Sequence, residues 1–533
     1  MQKERYKFPM AKAIHRLYLQ GEDDETMCPI AFFDSPNDMP IGRFEDGDYV
    51  IFYDIRGERE VEITEALTDL HFSHFPTKKM KLNFVTMIEY DPKLNTKVAF
   101  SRAHTVSNTL SEVVSKAGLH QIKIVESEKE VHLTYFLNGK NQKPFPNEER
   151  VIIDSPKVHE FDSIPEMNVA EVADKVMQKI EEQKYDLIVS NFCNIDVVGH
   201  TENEKAIIRA IKAVDDKVGE VVALAQKRGM RIIITADHGT VEKRYFPEGT
   251  VDTGHTDSKV PFIFIDSDCD TKNYLAEDGA LTDIAPTILK LIGIEKPEEM
   301  TGNSLLTDYE PKIKKPVLLL ILDGWGYREE SYGNLIKQAN PTNMNRIMQE
   351  NSFITIYAAG EYVGMPDGTV GNSEAGHLHI GAGRVVLSDR LKIDNSIKDG
   401  SFYENKTFKW AVEGAKKDKT NLHLLGIVSF YSSHGSLHHL FALMDMAKKY
   451  GVKNMYIHSM LGRRGERPES GAHYIEEVEE KCAQLELGKV VSVIGRKWAM
   501  DREHNWDRIE KAYRLFVYGD GDKAILHDSG RKG

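Results

Sequence analysis

Two short aliphatic runs that each end on an aspartate constrain this chain more than any other feature. One reads Arg231-Ile-Ile-Ile-Thr-Ala-Asp237-His238-Gly239, the other Val317-Leu-Leu-Leu-Ile-Leu-Asp323-Gly324-Trp325-Gly326. Both read as strands. In an open α/β sheet, ligands bind outside the carboxyl ends of the strands. A carboxylate placed there, followed at once by glycine or by His-Gly, is poised to hold a metal rather than to pack.

Around these strands, helix and strand patterns alternate over most of the sequence, which predicts an α/β fold with largely parallel sheets. An amphipathic helix is expected over 169–183, a strand over 185–192, a long helix around 204–228 and another helix over 280–292. Thr307-Asp-Tyr-Glu-Pro-Lys-Ile-Lys-Lys-Pro316 is polar, carries two prolines and reads as a linker. Beyond it, a helix beginning near Leu440 leads into a strand at Met455, and a helix over 470–485 leads into the strand at Val490. At 533 residues the chain exceeds what one core accommodates, so two or three domains are expected.

Composition excludes several classes. A net charge of −14 argues against non-specific nucleic-acid binding, though not against a local basic pocket for a small anion. The four cysteines, Cys28, Cys193, Cys269 and Cys482, are far apart and suggest neither a disulfide framework nor a zinc knuckle. The charged start, Met1-Gln-Lys-Glu-Arg-Tyr-Lys7, is no secretory signal, and the Val317–Leu322 run is too short to span a bilayer. A cytoplasmic protein without membrane or nucleic-acid partners is expected.

Three segments add ligand types to the two aspartates. Asn191-Phe-Cys-Asn-Ile-Asp196-Val-Val-Gly-His200 places Asp196 and His200 one helical turn apart, Asp237 and His238 are adjacent at a strand end, and His255 lies in Thr253-Gly-His-Thr256. Carboxylates with imidazoles suit Mn²⁺ or Zn²⁺, whereas Mg²⁺ normally takes fewer imidazoles. Ser373, in Gly368-Thr-Val-Gly-Asn-Ser373-Glu-Ala-Gly-His377, is the nucleophile candidate, because a serine in a glycine-rich turn can present its hydroxyl to a metal. Taken alone, that turn reads more readily as a glycine-rich loop with an incidental serine.

Longer segments carry a family resemblance. Leu320-Ile-Leu-Asp323-Gly-Trp-Gly, Gly364-Met-Pro-Asp-Gly-Thr-Val-Gly-Asn-Ser373-Glu-Ala-Gly-His, Ile380-Gly-Ala-Gly-Arg-Val-Val, Gly495-Arg496-Lys-Trp-Ala-Met-Asp-Arg502 and Trp506-Asp-Arg-Ile-Glu-Lys-Ala-Tyr together resemble the cofactor-independent (2,3-bisphosphoglycerate-independent) phosphoglycerate mutases of the alkaline phosphatase superfamily. Ser127-Glu-Lys129-Glu-Val-His-Leu-Thr-Tyr-Phe, Thr235-Ala-Asp-His-Gly and Thr253-Gly-His-Thr extend the match over nearly the whole chain. The order differs: residues 1–306 resemble the family's second part and residues 316–533 its first, as in a circular permutation. The linker 307–315 would join the old termini, and the new ends would fall in the polar region between Val517-Tyr-Gly-Asp-Gly-Asp and Ala11-Lys-Ala-Ile-His-Arg-Leu-Tyr.

The resemblance implies an alkaline-phosphatase-like metal domain over about 104–388. It also implies a smaller α/β substrate domain over about 389–533 plus 1–103, with catalysis in the cleft between them. One ion would bind Asp196, His200 and His255. The other would bind Asp237, His238, Asp323 and the Ser373 hydroxyl. The two ions would be Mn²⁺, with Zn²⁺, Co²⁺ or Mg²⁺ as alternatives. Ser373 would take the phosphoryl group of 3-phosphoglycerate and return it to the other hydroxyl. Lys129 would add charge near that group, His434 would shuttle a proton, and Arg56, Arg59, Arg464, Arg496 and Arg502 would bind the substrate's phosphate and carboxylate. The working form would be a monomer.

Two departures lie in the substrate domain. The family's Asp-Gly-Gly-Val before its histidine is Phe430-Tyr-Ser-Ser433 here, and its Asp-Gly-Arg-Asp is Gly462-Arg463-Arg464-Gly465, with Glu466 close by. A lost carboxylate at Gly465 and bulk at Phe430 would alter substrate recognition. The alternative expectation is therefore a related mutase, or a phosphatase, acting on another phosphorylated or phosphonylated carboxylic acid. A non-catalytic binding protein is the third class.

Overall fold

The computed structural model describes residues 5–101, 105–158, 160–268, 274–307, 309–311, 313–430, 432, 434–462 and 469–526. Arg464, together with Cys269, Tyr431, Ser433, Arg463, Gly465 and Glu466, lies outside the described residues. The chain divides into two compact units, one made of Met1–Arg102 with Lys392–Gly533, the other of Ala103–Leu391.

The 103–391 unit is built on a sheet of seven described strands in the order Ser352–Ile356, Val260–Ile265, Arg231–Thr235, Val317–Leu322, Leu187–Phe192, Gln121–Glu126 and Glu148–Ile153. Val317–Leu322 pairs in parallel with Arg231–Thr235 on one side and Leu187–Phe192 on the other. The two aspartate-terminated strands are thus immediate neighbours. All six residues of the inserted strand are buried, which is why it reads as an unbroken aliphatic run rather than an alternating one. Among the described strands, Val260–Ile265 alone runs opposite to the rest.

Helices cover this sheet where their apolar stripes require. Glu204–Lys227 buries Ile207, Ile211, Val214, Val218 and Val222 at three- and four-residue spacing, and Asn203 caps its start by accepting from the Ala206 N–H at 3.2 Å. Val169–Glu182 ends where Gln183 turns left-handed, and Ile284–Ile292 ends on left-handed Gly293. The expected helix over 280–292 opens with a 3₁₀ turn at Leu281–Asp283.

The described residues of the 307–315 segment form no helix or strand, as expected, but they are pinned rather than loose. Buried Tyr309 donates its hydroxyl to Asp266 Oδ2 at 2.5 Å and accepts from Arg231 Nε at 3.0 Å. Arg231 NH2 also donates to the Ile313 carbonyl at 3.0 Å, and Lys315 Nζ reaches Asp266 Oδ1 at 2.7 Å. Polarity and proline content marked the segment as irregular. They could not show that a buried ion pair from two neighbouring strand ends would grip it.

The other unit has a sheet of eight described strands in the order Asp522–Ile525, Ile30–Phe33, Lys489–Gly495, Met455–Leu461, Leu422–Ile427, Tyr49–Phe52, Asn83–Ile88 and Lys97–Phe100. Every ladder is parallel except that between Ile30–Phe33 and Lys489–Gly495. Strands from the early and late parts of the sequence thus share one sheet. No described helix is long and apolar enough to cross a membrane.

Candidate metal and nucleophile centre

Three adjacent strands deliver the donor groups. Beyond Leu187–Phe192 the chain enters the short helix Asn194–Gly199, which carries Asp196, and His200 closes that helix. Arg231–Thr235 leads to Asp237 and His238, and Val317–Leu322 to Asp323 and Gly324. The Asp323 N–H donates to the Phe192 carbonyl at 3.1 Å and the Gly324 N–H to Asp237 Oδ1 at 3.3 Å. Gly324 adopts φ +80°, and a Cβ on it would stand 2.9 Å from the Asp196 Cα, so both conformation and space call for glycine. Ser373 opens the helix Ser373–Ala382, capped by Asn372, whose side chain accepts from the Ala375 N–H at 2.8 Å.

The Ser373 hydroxyl lies 2.9 Å from His238 Nε2, 2.5 Å from Lys129 Nζ and 3.4 Å from Asp323 Oδ1. Lys129 Nζ also donates to Asp196 Oδ2 at 2.7 Å and Asp323 Oδ1 at 2.8 Å, so the ammonium sits among the carboxylates themselves. Asp196 Oδ1 lies 3.2 Å from His255 Nε2 and 3.4 Å from His200 Nε2, and those two nitrogens are 3.2 Å apart. Among the described residues, two groups are close enough to hold an ion: Asp196, His238 and His255, and Asp237, Asp323 and His377.

The residues fit metal ions, and the backs of the imidazoles show why. His200 Nδ1 faces the Thr253 carbonyl at 2.8 Å, His238 Nδ1 the Gly239 carbonyl at 3.1 Å and His255 Nδ1 the Gly371 carbonyl at 3.0 Å. A carbonyl accepts only, so each Nδ1 carries the proton and each Nε2 turns a lone pair inward, the usual arrangement behind a metal-bound histidine. Asp237 Oδ2 is buried without a well-formed hydrogen bond, with His377 Nδ1 at 3.2 Å and His238 Nε2 at 3.5 Å beside it. A buried carboxylate oxygen left in this way wants a cation.

His377 differs. Its Nδ1 lies 2.9 Å from the Ser373 carbonyl and 3.2 Å from Asp237 Oδ2, while its Nε2 faces Asn191 Nδ2 at 3.0 Å. Asn191 Nδ2 also donates to Asp323 Oδ2 at 2.7 Å. The geometry groups His377 with two carboxylates, but both ring nitrogens are engaged, so it orients the set rather than offering a lone pair.

Electrostatics follow from burying three carboxylates around one ammonium. Burial alone would lower Lys129, yet Asp323, Asp196 and Asp237 raise it well above the ordinary lysine value. Burial opposes ionisation of Asp196 and Asp237, but Lys129 and His238 hold the first low, and His238 and His377 the second. Asp323 goes the other way, raised by burial and by the charge of Asp237 beside it. A cluster this rich in carboxylates leaves one of them hard to ionise without further positive charge.

The remaining sequence-derived candidates lie in the other unit. Arg56 pairs with Glu58 at 2.8 Å, Arg502 with the same carboxylate at 3.3 Å and Arg496 with Glu25 at 3.2 Å, while Arg59 donates to the Met500 carbonyl at 3.1 Å. Burial together with Arg502 and Arg496 lowers Arg59. His434 is pushed down to about 4 by burial and by Arg56, Arg496 and Arg59, against the pull of Asp54. Arg56, Arg59 and Arg496 thus gather around His434, and Arg502 acts on Arg59 beside them. Phe430 is 70% exposed.

Sequence reasoning passed over His377, Asn191 and Glu60. His377 and Asn191 stand inside segments quoted for their neighbours, and their spacing to Ser373 or Asp323 marked neither. Glu60, which contacts His434 Nδ1 at 2.7 Å, follows Arg59 directly, but its partner is 374 positions away.

Residues 39–296 match the Metalloenzyme superfamily and residues 393–530 match the BPG-independent PGAM N-terminus. A 2,3-bisphosphoglycerate-independent phosphoglycerate mutase of Clostridium perfringens (strain SM101 / Type A) is 41% identical over 296 residues, covering 55% of this chain and 57% of the relative. The enzyme of the same name from Clostridium botulinum (strain Langeland / NCTC 10281 / Type F) is 41% identical over 297 residues, with the same 55% and 57% covered. The chain therefore spans little more than half the length of the curated relatives it matches. A solved Leishmania mexicana phosphoglycerate mutase, at low cobalt concentration, is 28% identical, with 51% of this chain and 53% of that chain covered and a TM-score of 0.37.

Proposed function

We propose, for a chain that carries a Metalloenzyme-superfamily region and a BPG-independent PGAM N-terminal region, that it is a phosphoglycerate mutase interconverting 3-phosphoglycerate and 2-phosphoglycerate through a phosphoserine at Ser373. The observation that carries this reading is the convergence of His238, Lys129 and Asp323 on the Ser373 hydroxyl, at the start of a helix. Backbone N–H groups at a helix start favour a phosphoryl group attached there.

Residues of about 104–388 would bind the metals, and residues of about 389–533 with 1–103 would bind the rest of the substrate. One divalent ion would be held by Asp196, His200 and His255. The second would be held by Asp237, His238, Asp323 and the Ser373 oxygen. Mn²⁺ suits this mixture of carboxylates and imidazoles. When bound, the two ions supply positive charge to the attacking and leaving oxygens of an in-line displacement. Lys129 then donates to the phosphoryl oxygens or to Ser373 Oγ, holding the nucleophile toward its target. Arg56, Arg59, Arg464, Arg496 and Arg502 grip the substrate's anionic groups, and His434 exchanges a proton with its hydroxyls. The phosphoserine divides one difficult transfer into two steps.

The deciding experiment strips the purified protein with a chelator, reloads it with Mn²⁺ and assays both isomers without added bisphosphoglycerate. Metal-dependent isomerisation in both directions is expected. Inactivity of the reloaded protein on either isomer would sink the proposal. A second reading, a related mutase or phosphatase for another phosphorylated or phosphonylated carboxylic acid, draws on exposed Phe430 and on glycine at position 465. Free phosphate released without isomerisation would favour it, and rapid isomerisation without phosphate release would exclude its phosphatase form.

A further inference from the structure

We propose that Glu60 is the positioning residue of His434 and forms with it a buried acid–imidazole relay that gives a proton to a substrate hydroxyl oxygen and takes it back. This rests on the reading above, in that the surroundings of His434 are taken to hold the non-transferred part of the substrate.

The pair is built to stay in place. Glu60 Oε1 lies 2.7 Å from His434 Nδ1, and both side chains are buried. Glu60 stands at the start of the helix Val61–Thr68 and its Oε2 accepts from the Arg59 N–H at 2.9 Å. On the other side, the Ile55 N–H donates to the His434 carbonyl at 2.6 Å and the His434 N–H to Ser432 Oγ at 3.1 Å. With Nδ1 committed to Glu60, Nε2 is left for an incoming group, and it has no hydrogen-bond partner among the described residues. Arg56, Arg59 and Arg496 act on the same ring, so an anion drawn to them comes close to His434.

The charge state follows from burial. Burial pushes Glu60 up to about 8, and burial with the three guanidinium groups pushes His434 down to about 4. Asp54, the other carboxyl facing the pair, is raised well above its ordinary value by burial and by Glu60, while its Oδ1 accepts from the Ile427 N–H at 2.8 Å. Tyr53 and Tyr90, packed beside Asp54, are raised by burial and stay neutral; Glu58 adds the remaining nearby charge. Burial thus disfavours charge on both partners, so the neutral form, with a proton on the Glu60–Asp54 carboxyl pair facing Nδ1 and another on Nε2, is favoured over the ion pair.

From that state the relay balances. The Nε2–H bond breaks as a substrate O–H forms, the Glu60 O–H breaks as Nδ1–H forms, and the negative charge passes from the alkoxide to the Glu60 carboxylate. Run backward, the same two shifts take a proton from a hydroxyl. A transfer that releases one oxygen of the substrate and then employs another needs both directions, and a single pair provides them.

The test compares metal-loaded wild-type protein with E60Q, E60D and H434Q. E60Q preserves size and the acceptor for the Arg59 N–H, so it should fold. The expected result is a kcat lowered about 100-fold in E60Q, KM little changed, a flattened pH profile and partial recovery in E60D. E60Q/H434Q should be no worse than H434Q, as for two groups acting as a unit. A far-downfield proton resonance from the Glu60–Nδ1 bridge should appear in wild-type protein and vanish in E60Q. An unchanged kcat and pH profile in E60Q, or a lowered melting temperature with no change in the pH profile, overturns the relay while leaving the mutase reading intact. If wild-type protein does not isomerise, the functional reading fails separately, and absence of the bridge resonance then overturns the pair as well.

Discussion

Ser373 is an ordinary alcohol until its neighbours are counted, and the neighbour that most repays attention is Lys129. Its ammonium bonds Asp196, Asp323 and Ser373 at once. Without dications it is the main positive charge for three buried carboxylates. Lys129→Gln should therefore destabilise metal-free protein by about 3–5 kcal/mol, the cost of stripping one partner from a buried ion pair. Added Mn²⁺ should close most of that gap, because the ions bring the missing charge. Thermal melts of both proteins, with and without Mn²⁺, measure this. A gap that Mn²⁺ leaves unchanged would mean the ions do not bind among these carboxylates. At this scale the sequence was informative where chemistry repeats along the chain, as in Asp237-His238 or Gly-His255-Thr. It was silent where partners meet only in the fold: Glu60 meets His434, and His377 contacts Asn191 from 186 positions away.

The elements repeat the lesson with a physical reason attached. A six-residue aliphatic run such as Val317–Leu322 declares a strand buried on both faces, and an ion shared by Asp237 and Asp323 would place the two runs close together in one sheet, where the ladder pairs Leu318 with Ile232. What the runs do not declare is the antiparallel turn of Val260–Ile265, since both orientations bury the same side chains. The tight turn after Val317–Leu322 makes the element's contribution testable. Gly324→Ala should cost about 1–2 kcal/mol for the left-handed backbone and push the added methyl against the Asp196 backbone, 2.9 Å away. The fold should survive while the Asp196 side of the centre shifts. Metal titration by calorimetry should show at least one ion bound more weakly than in wild type, and unaltered affinity for both would remove Gly324 from the account.

Across the whole molecule, the region matching the family's N-terminus falls at residues 393–530, after the Metalloenzyme match at 39–296, so the order of regions read from the motifs is also the order of the matches. Neither sheet respects sequence order: Val317–Leu322 inserts between strands that precede it by scores of positions, and Asp522–Ile525 pairs with Ile30–Phe33. The segment before Val317 leads into the middle of the sheet, and the Asp266 clasp holds it there. Burial opposes ionisation of Asp266, but Lys315, Tyr309 and Arg231 outweigh it and lower its carboxyl below the ordinary range. A group depressed in the folded state contributes stability that is fully present above its unfolded value of about 3.9 and is lost as pH falls through the folded value. Asp266→Asn removes that contribution and leaves Arg231 buried without its counter-charge. The loss should be about 3–5 kcal/mol near neutral pH. It should shrink on acidification from pH 5 toward pH 2, as the unfolded chain takes up a proton on Asp266 that the folded carboxylate, held low by Lys315, Tyr309 and Arg231, does not. Urea unfolding of both proteins across that range provides the measurement. A difference that stays constant with pH would mean that Arg231 and Tyr309 hold the connecting segment without help from the carboxylate's charge.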